Sequence, residues 1–161
     1  MQDSIVILYN TVILAYANES VTNAKAAGMA TALWERMKAR GDPKVSAHPI
    51  TYSILMNMFA RLGNAEETQR LLDEMEANVP ATRSYPTLVH YNIALNAWAK
   101  TTASNAGDKV EQILMRMHDL QDATDRPSIT PDKISYTAAM DTLLRSTNSD
   151  AIERAEALLD H

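Results

Sequence analysis

The chain contains no cysteine. That absence removes disulfides, thiolate zinc sites and a cysteine nucleophile together. Glycine is scarce, at four residues in 161, and no Gly-rich phosphate loop or nucleophile elbow frames the Ser, His and Asp residues. No apolar run approaches the roughly 18 residues of a membrane span, so no membrane partner is expected. Neither a signal peptide nor an Arg-rich transit peptide opens the chain. His48, His90, His118 and His161 lack the close spacing of a metal pair. The carboxylate pairs Glu66-Glu67 and Asp73-Glu74 fall on one surface helix, without a cleft to shift their acidity. The expectation is no enzyme, no cofactor, no metal and no small-molecule substrate. Runs of β-branched residues are short while Ala, Leu and Met are common, a balance that favours helix.

What the chain does have is a recurring tyrosine. Tyr9, Tyr52, Tyr91 and Tyr136 are each followed by apolar residues three, four and seven places on. These are Val12, Ile13 and Tyr16; Leu55, Met56 and Phe59; Ala94, Leu95 and Trp98; Ala139, Met140 and Leu143. That spacing is one face of a helix. A second pattern closes each unit: Met37, Met75 and Met117 follow the apolar pairs Leu33-Trp34, Leu71-Leu72 and Ile113-Leu114. Leu158 and Leu159 stand at the equivalent place in the fourth unit, and its closing Met would follow His161. The chain therefore reads as a fragment cut inside its last helix. A helical period of about 40 residues predicts an all-α solenoid of stacked helix-turn-helix units. One array is expected over 1–161, with repeats near 6–48, 49–87, 88–132 and a truncated 133–161. The nine Met residues read as core filler at helical spacing.

Eight helices follow, near 5–18, 22–40, 48–62, 64–78, 87–101, 106–121, 132–146 and 149–160. Gly63 ends one of them. Asn64 with Glu67, Asp108 with Glu111 and Asp150 with Glu153 have the spacing of an N-cap with its capping-box partner. Pro43, Pro80, Pro86, Pro127 and Pro131 are expected between units, where a helix must stop. The loops 79–86 and 122–131 are the longest breaks, and neither is long enough for a domain linker.

The segments Leu8-Tyr9-Asn10-Thr11-Val12-Ile13, Thr51-Tyr52-Ser53-Ile54-Leu55, His90-Tyr91-Asn92-Ile93-Ala94-Leu95 and Ser135-Tyr136-Thr137-Ala138-Ala139-Met140 resemble the first helix of pentatricopeptide repeats. Leu71-Leu72-Asp73-Glu74-Met75 resembles the second helix, and Pro131-Asp132 the ending. The resemblance covers nearly the whole chain. Its departure is length, with the surplus in the turns of units one and three and in the loops after each closing Met. Tetratricopeptide repeats expect a Trp in the first helix, which units one, two and four lack.

The resemblance implies single-stranded RNA binding, one base per repeat. By it, Asn10, Ser53, Asn92 and Thr137, directly after each Tyr, are base readers. The second readers, four residues before the next Tyr, are His48, Thr87 and Asp132. Asp132 matches the family pattern, whereas His48 and Thr87 depart from its commonest forms. Two residues before each Tyr stand Ile7, Ile50, Val89 and Ile134, which by resemblance pack against a base. Nine residues after stand Asn18, Arg61, Lys100 and Arg145, whose cations by resemblance lie near phosphates. The same positions admit a plain structural reading: polar residues border any apolar stripe, and cations complement a helix C-terminus.

The net charge of −5 runs against phosphate binding. Its distribution matters more. The span 64–78 holds Glu66, Glu67, Asp73, Glu74 and Glu76 against Arg70, and reads as a solvated outer face. The Tyr-bearing helices carry the surplus of cations. By resemblance the chain binds single-stranded RNA in a mitochondrion or chloroplast, in RNA processing, stability or translation. Two alternatives stay open: a protein-binding solenoid within an organellar ribonucleoprotein or ribosome, and a targeting module for an enzyme domain outside this chain.

Overall fold

The computed structural model describes residues 2–42, 48–82, 85–121, 129–146 and 150–158. Among them run eight helices and no strand. They are α1 (Gln2–Glu19), α2 (Ala24–Lys38), α3 (Pro49–Arg61), α4 (Ala65–Thr82), α5 (Leu88–Ala99), α6 (Ala106–Gln121), α7 (Lys133–Arg145) and α8 (Ala151–Ala157). The Tyr-bearing helices are α1, α3, α5 and α7. Pro43, Pro127, Leu159 and His161 lie outside the described residues.

Local chemistry sets most boundaries. Pro49 occupies the first turn of α3, where its missing N–H costs nothing. Gly63 adopts φ +73° just beyond α3. Asn64 N donates to Phe59 O at 2.9 Å and Gly63 N to Ala60 O at 3.3 Å, the hydrogen-bond pair of a Schellman ending. Asn64 Oδ1 then accepts from Glu67 N at 3.0 Å at the start of α4.

Three expectations need correction. α4 does not stop before Pro80 but runs through it to Thr82. Pro80 lies in the last turn, two residues before the end, so it removes only one N–H from the helix ladder and the turn is completed before the helix stops. Asp108 is not an N-cap: α6 already begins at Ala106, and Asp108 lies inside its first turn. Asp150 flanks α8 without a side-chain capping bond. Both Asp108 and Asp150 stand near Arg154, with Asp108 Oδ1 at 2.7 Å and Asp150 Oδ2 at 3.9 Å.

The chain divides into two compact units, Met1–Pro86 and Thr87–His161. In the first, α1 packs on α2 and α3, and α3 on α4. Trp34, Met37, Tyr52, Leu55, Met56, Met58, Leu71, Leu72 and Met75 form its core. Trp34 meets Tyr52 edge to face, with ring centroids 5.1 Å apart. Glu74 departs from the solvated face expected of α4. It turns inward to Lys38 Nζ at 3.3 Å and to the Tyr52 hydroxyl at 3.3 Å, and meets Arg70 at 2.9 Å. Burial, with the Glu74 charge beside it, holds the Tyr52 phenol above its ordinary range.

In the second unit α5 packs on α6 and α7, α6 on α7, and α7 on α8. Tyr91, Ala94, Leu95, Trp98, Val110, Ile113, Leu114, Met117, Ala139 and Leu143 form its core. Arg154 of α8 reaches α6, with Nη2 at 2.7 Å from Asp108 and 2.7 Å from Glu111. The Tyr136 hydroxyl lies 3.1 Å from His118 Nε2, which ties the last turn of α6 to α7. Each unit is thus two helix-turn-helix repeats with their Tyr-bearing helices side by side, the packing of an α-solenoid. Five methionines fill the cores, while Met29 and Met115 are exposed. Val12, expected on the buried face, is 44% exposed.

Candidate functional site

The residue four before each Tyr is the N-cap of α3, α5 and α7 in turn. His48 Nδ1 accepts from Ile50 N at 3.3 Å. Thr87 caps α5 together with His90: His90 Nδ1 accepts from Thr87 N at 3.1 Å and lies 3.0 Å from Thr87 Oγ1. Asp132 Oδ1 accepts from Ser135 N at 2.9 Å. Hydrogen bonds from the Ser135 backbone and side chain and from Asn92 hold the Asp132 carboxyl below its ordinary range, against the opposing effect of desolvation. It is therefore an anion, which can only accept.

That fact orients Asn92. Its Nδ2 donates to Asp132 Oδ1 at 3.2 Å, and its Oδ1 accepts from Ser135 Oγ at 2.6 Å. The amide is locked between the N-cap and the residue before Tyr136, with one N–H and one lone pair left over. The first unit repeats half of this arrangement. Asn10 Oδ1 accepts from Thr51 Oγ1 at 2.6 Å, and Thr51, like Ser135, directly precedes a repeat Tyr. Neither Thr51 nor Ser135 stood out in the sequence as part of a site. The available signal was a hydroxyl directly before the Tyr in these two units only.

Ile7, Ile50, Val89 and Ile134 are 63%, 56%, 59% and 54% exposed. Packing within either unit gives no reason for a branched aliphatic to face water at the same register four times. Thr137 is exposed and Ser53 half-buried. Asn10 is largely buried beneath its bond to Thr51.

In the second unit an open groove of about 620 Å³ lies between α5 and α7. Ile134, Thr137, Lys100 and Arg145 line it, joined by Lys133, Asn96 and Asp141. Lys133 and Asn96 were not anticipated. The cations nine after the Tyr also serve the fold. Arg61 Nη2 donates to Ala17 O at 2.6 Å. Arg145 donates through Nη2 to Ala99 O and through Nε to Asp141 O, the latter at 2.9 Å. Both guanidinium groups thus reach a carbonyl at the C-terminal end of the preceding Tyr-bearing helix, where the dipole favours a cation. A guanidinium has five N–H donors, so this use leaves donors for a second partner. Lys100 stands at the C-cap of α5 and is exposed.

No curated protein matches the chain. A family model described as PPR repeat matches residues 50–78, which span α3 and most of α4. Together, that matched repeat and the helix-turn-helix packing of both units are consistent with the pentatricopeptide-repeat superfamily and with nucleic-acid-binding scaffolds in general.

Proposed function

We propose that the chain is a binding module for single-stranded RNA, without catalytic chemistry of its own, working in a mitochondrion or plastid. The observation that carries this is the fourfold exposure of Ile7, Ile50, Val89 and Ile134, each three residues before a polar reader position. A flat base placed between such aliphatics has its faces dehydrated and its edge open to the reader.

The Asn92–Asp132 pair favours uracil. Uracil presents carbonyl acceptors on either side of an N3–H donor. The remaining N–H of Asn92 supplies a donor, and the Asp132 anion attracts N3–H. Cytosine would place its N3 lone pair against that anion. Asn10 with His48 is read as leaning towards a pyrimidine, and Ser53 and Thr137 towards purines. Lys100, Lys133 and Arg145 then serve phosphates, with Arg61 in the first unit.

The net charge of −5 favours the rival reading, a protein-binding solenoid in an organellar ribonucleoprotein. Anisotropy titrations with labelled single-stranded RNAs differing at one base decide between them. Asn92→Thr should move the preference from uracil towards guanine by about 1–3 kcal/mol. Lys100→Ala should weaken all the RNAs alike. No binding at low salt would leave the protein-scaffold reading as the better one.

A further inference from the structure

We propose that Thr51 is a positioning residue for the Asn10 reader, a role that rests on the chain being an RNA binder. By donating its hydroxyl proton to the Asn10 carbonyl, Thr51 turns the N–H side of the amide towards the base. This repeat then selects a keto group over an amino group at the base edge.

An asparagine amide can turn over about its last bond with almost no change of shape, and the turn exchanges a donor for an acceptor. A reader of this type has a defined preference only when something fixes that rotation. In the second unit two groups fix it. The Asp132 carboxylate takes an N–H of Asn92 at 3.2 Å, and Ser135 Oγ donates to Asn92 Oδ1 at 2.6 Å.

In the first unit the carboxylate has no counterpart. His48 stands where Asp132 does, and its Nδ1 accepts from Ile50 N at 3.3 Å. The orientation of Asn10 therefore falls to Thr51, whose Oγ1 lies 2.6 Å from Asn10 Oδ1. That separation identifies the amide atom. A bond between two oxygens lies near about 2.7 Å, whereas an amide nitrogen would stand off at about 2.9 Å. Thr51 is fully buried, on the helix packed against α1. The Asn10 carbonyl is thus directed inward, and a ligand meets the N–H side. The sequence repeats the device where it is needed. Asn10 and Asn92, the two amide readers, are each followed one repeat later by a hydroxyl before the Tyr, Thr51 and Ser135. Ser53, a hydroxyl reader with no such orientation to fix, is followed by His90. An N–H donor matches the keto oxygen of uracil or hypoxanthine. It opposes the amino group at the same place in cytosine or adenine.

Two measurements on the same chains test this: NMR of the Asn10 side-chain amide, and anisotropy titrations with RNAs differing only at the base opposite Asn10. The bases are compared as keto and amino partners, uridine against cytidine and inosine against adenosine. The parent should favour the keto member of each pair by about tenfold. Thr51→Val should level both ratios and set the Asn10 amide in motion, and Thr51→Ser, which keeps the hydroxyl, should restore both. Ser135→Ala should leave the ratios at this base as they are. At the base opposite Asn92 it should lower the preference without abolishing it, because Asp132 still holds that amide. Circular dichroism checks folding, and Thr51→Ala is read in the same way where Thr51→Val does not fold. Ratios unchanged in a folded variant lacking the hydroxyl, or an Asn10 amide equally rigid there, would overturn the proposal. A parent chain that binds no RNA would overturn base selection together with the RNA reading beneath it. An NMR contrast persisting between Thr51→Val and Thr51→Ser would then show that the reading had failed and not the hydrogen bond.

Discussion

Asn92 owes its orientation to the charge of a neighbour. The Asp132 carboxylate accepts only, so the amide must present N–H to it and oxygen to Ser135. Replacing Ser135 with Ala should cost about 1 kcal/mol of stability and loosen discrimination at the base read by Asn92. Thermal melts and single-base RNA titrations check the two halves of that statement. Asp132→Ala should cost about 1 kcal/mol at neutral pH through the lost cap of α7. A carboxyl whose acidity is raised on folding stabilises above its unfolded pKa, and that contribution is lost as pH falls through its folded value. The difference between Asp132→Ala and the parent should therefore shrink as pH falls below about 4. A gap that stays constant to the acid limit would contradict this. The resemblance to pentatricopeptide repeats paired Asn92 with Asp132, and the two side chains do meet, Asn92 Nδ2 donating to Asp132 Oδ1 at 3.2 Å. It left out Ser135, since the partner of an amide depends on how two helices cross.

Helices were more legible than their ends. Apolar spacing located all eight, and Gly63 marked the end of α3 through its left-handed backbone. Gly63→Ala should destabilise by about 1 kcal/mol, because a Cβ disfavours positive φ. The motif of Asn or Asp followed by Glu three places on was ambiguous, because caps and ion pairs use overlapping residue types. At Asn64 it caps; at Asp108 and Glu111 it binds Arg154 instead. That ion pair matters for α8, which has only seven residues, too few to hold a helix in isolation. Arg154→Ala should fray α8 selectively, visible as faster hydrogen exchange at residues 151–157 with little change in α6. Protection there equal to that of α6 in the variant would remove the ion pair as the cause. Trp98→Ala, which empties a core position, should instead cost about 3–5 kcal/mol.

At the scale of the chain, the period of the repeat made the all-α solenoid class readable, because every unit repeats the same burial problem. The division into Met1–Pro86 and Thr87–His161 falls at the junction expected between the second and third repeats, near residue 87. Charge is the property least suited to reading as a sum. The net value is −5, yet the groove between α5 and α7 is lined by Lys100, Lys133 and Arg145 against Asp141. Part of the acidity of α4 is directed inward through Glu74 to Lys38 and Tyr52. If the three groove cations each neutralise a phosphate, the logarithm of RNA affinity should fall with the logarithm of salt at a slope of about −2. Lys100→Ala should flatten that slope by about 0.7 without changing base preference. Asn92→Thr should do the reverse, changing preference and leaving the slope alone, since it alters an edge contact and no ion pair. A slope indistinguishable from zero in the parent chain would mean that these cations serve only the helix ends, as Arg145 does through Ala99 O. The RNA reading would then lose its electrostatic support.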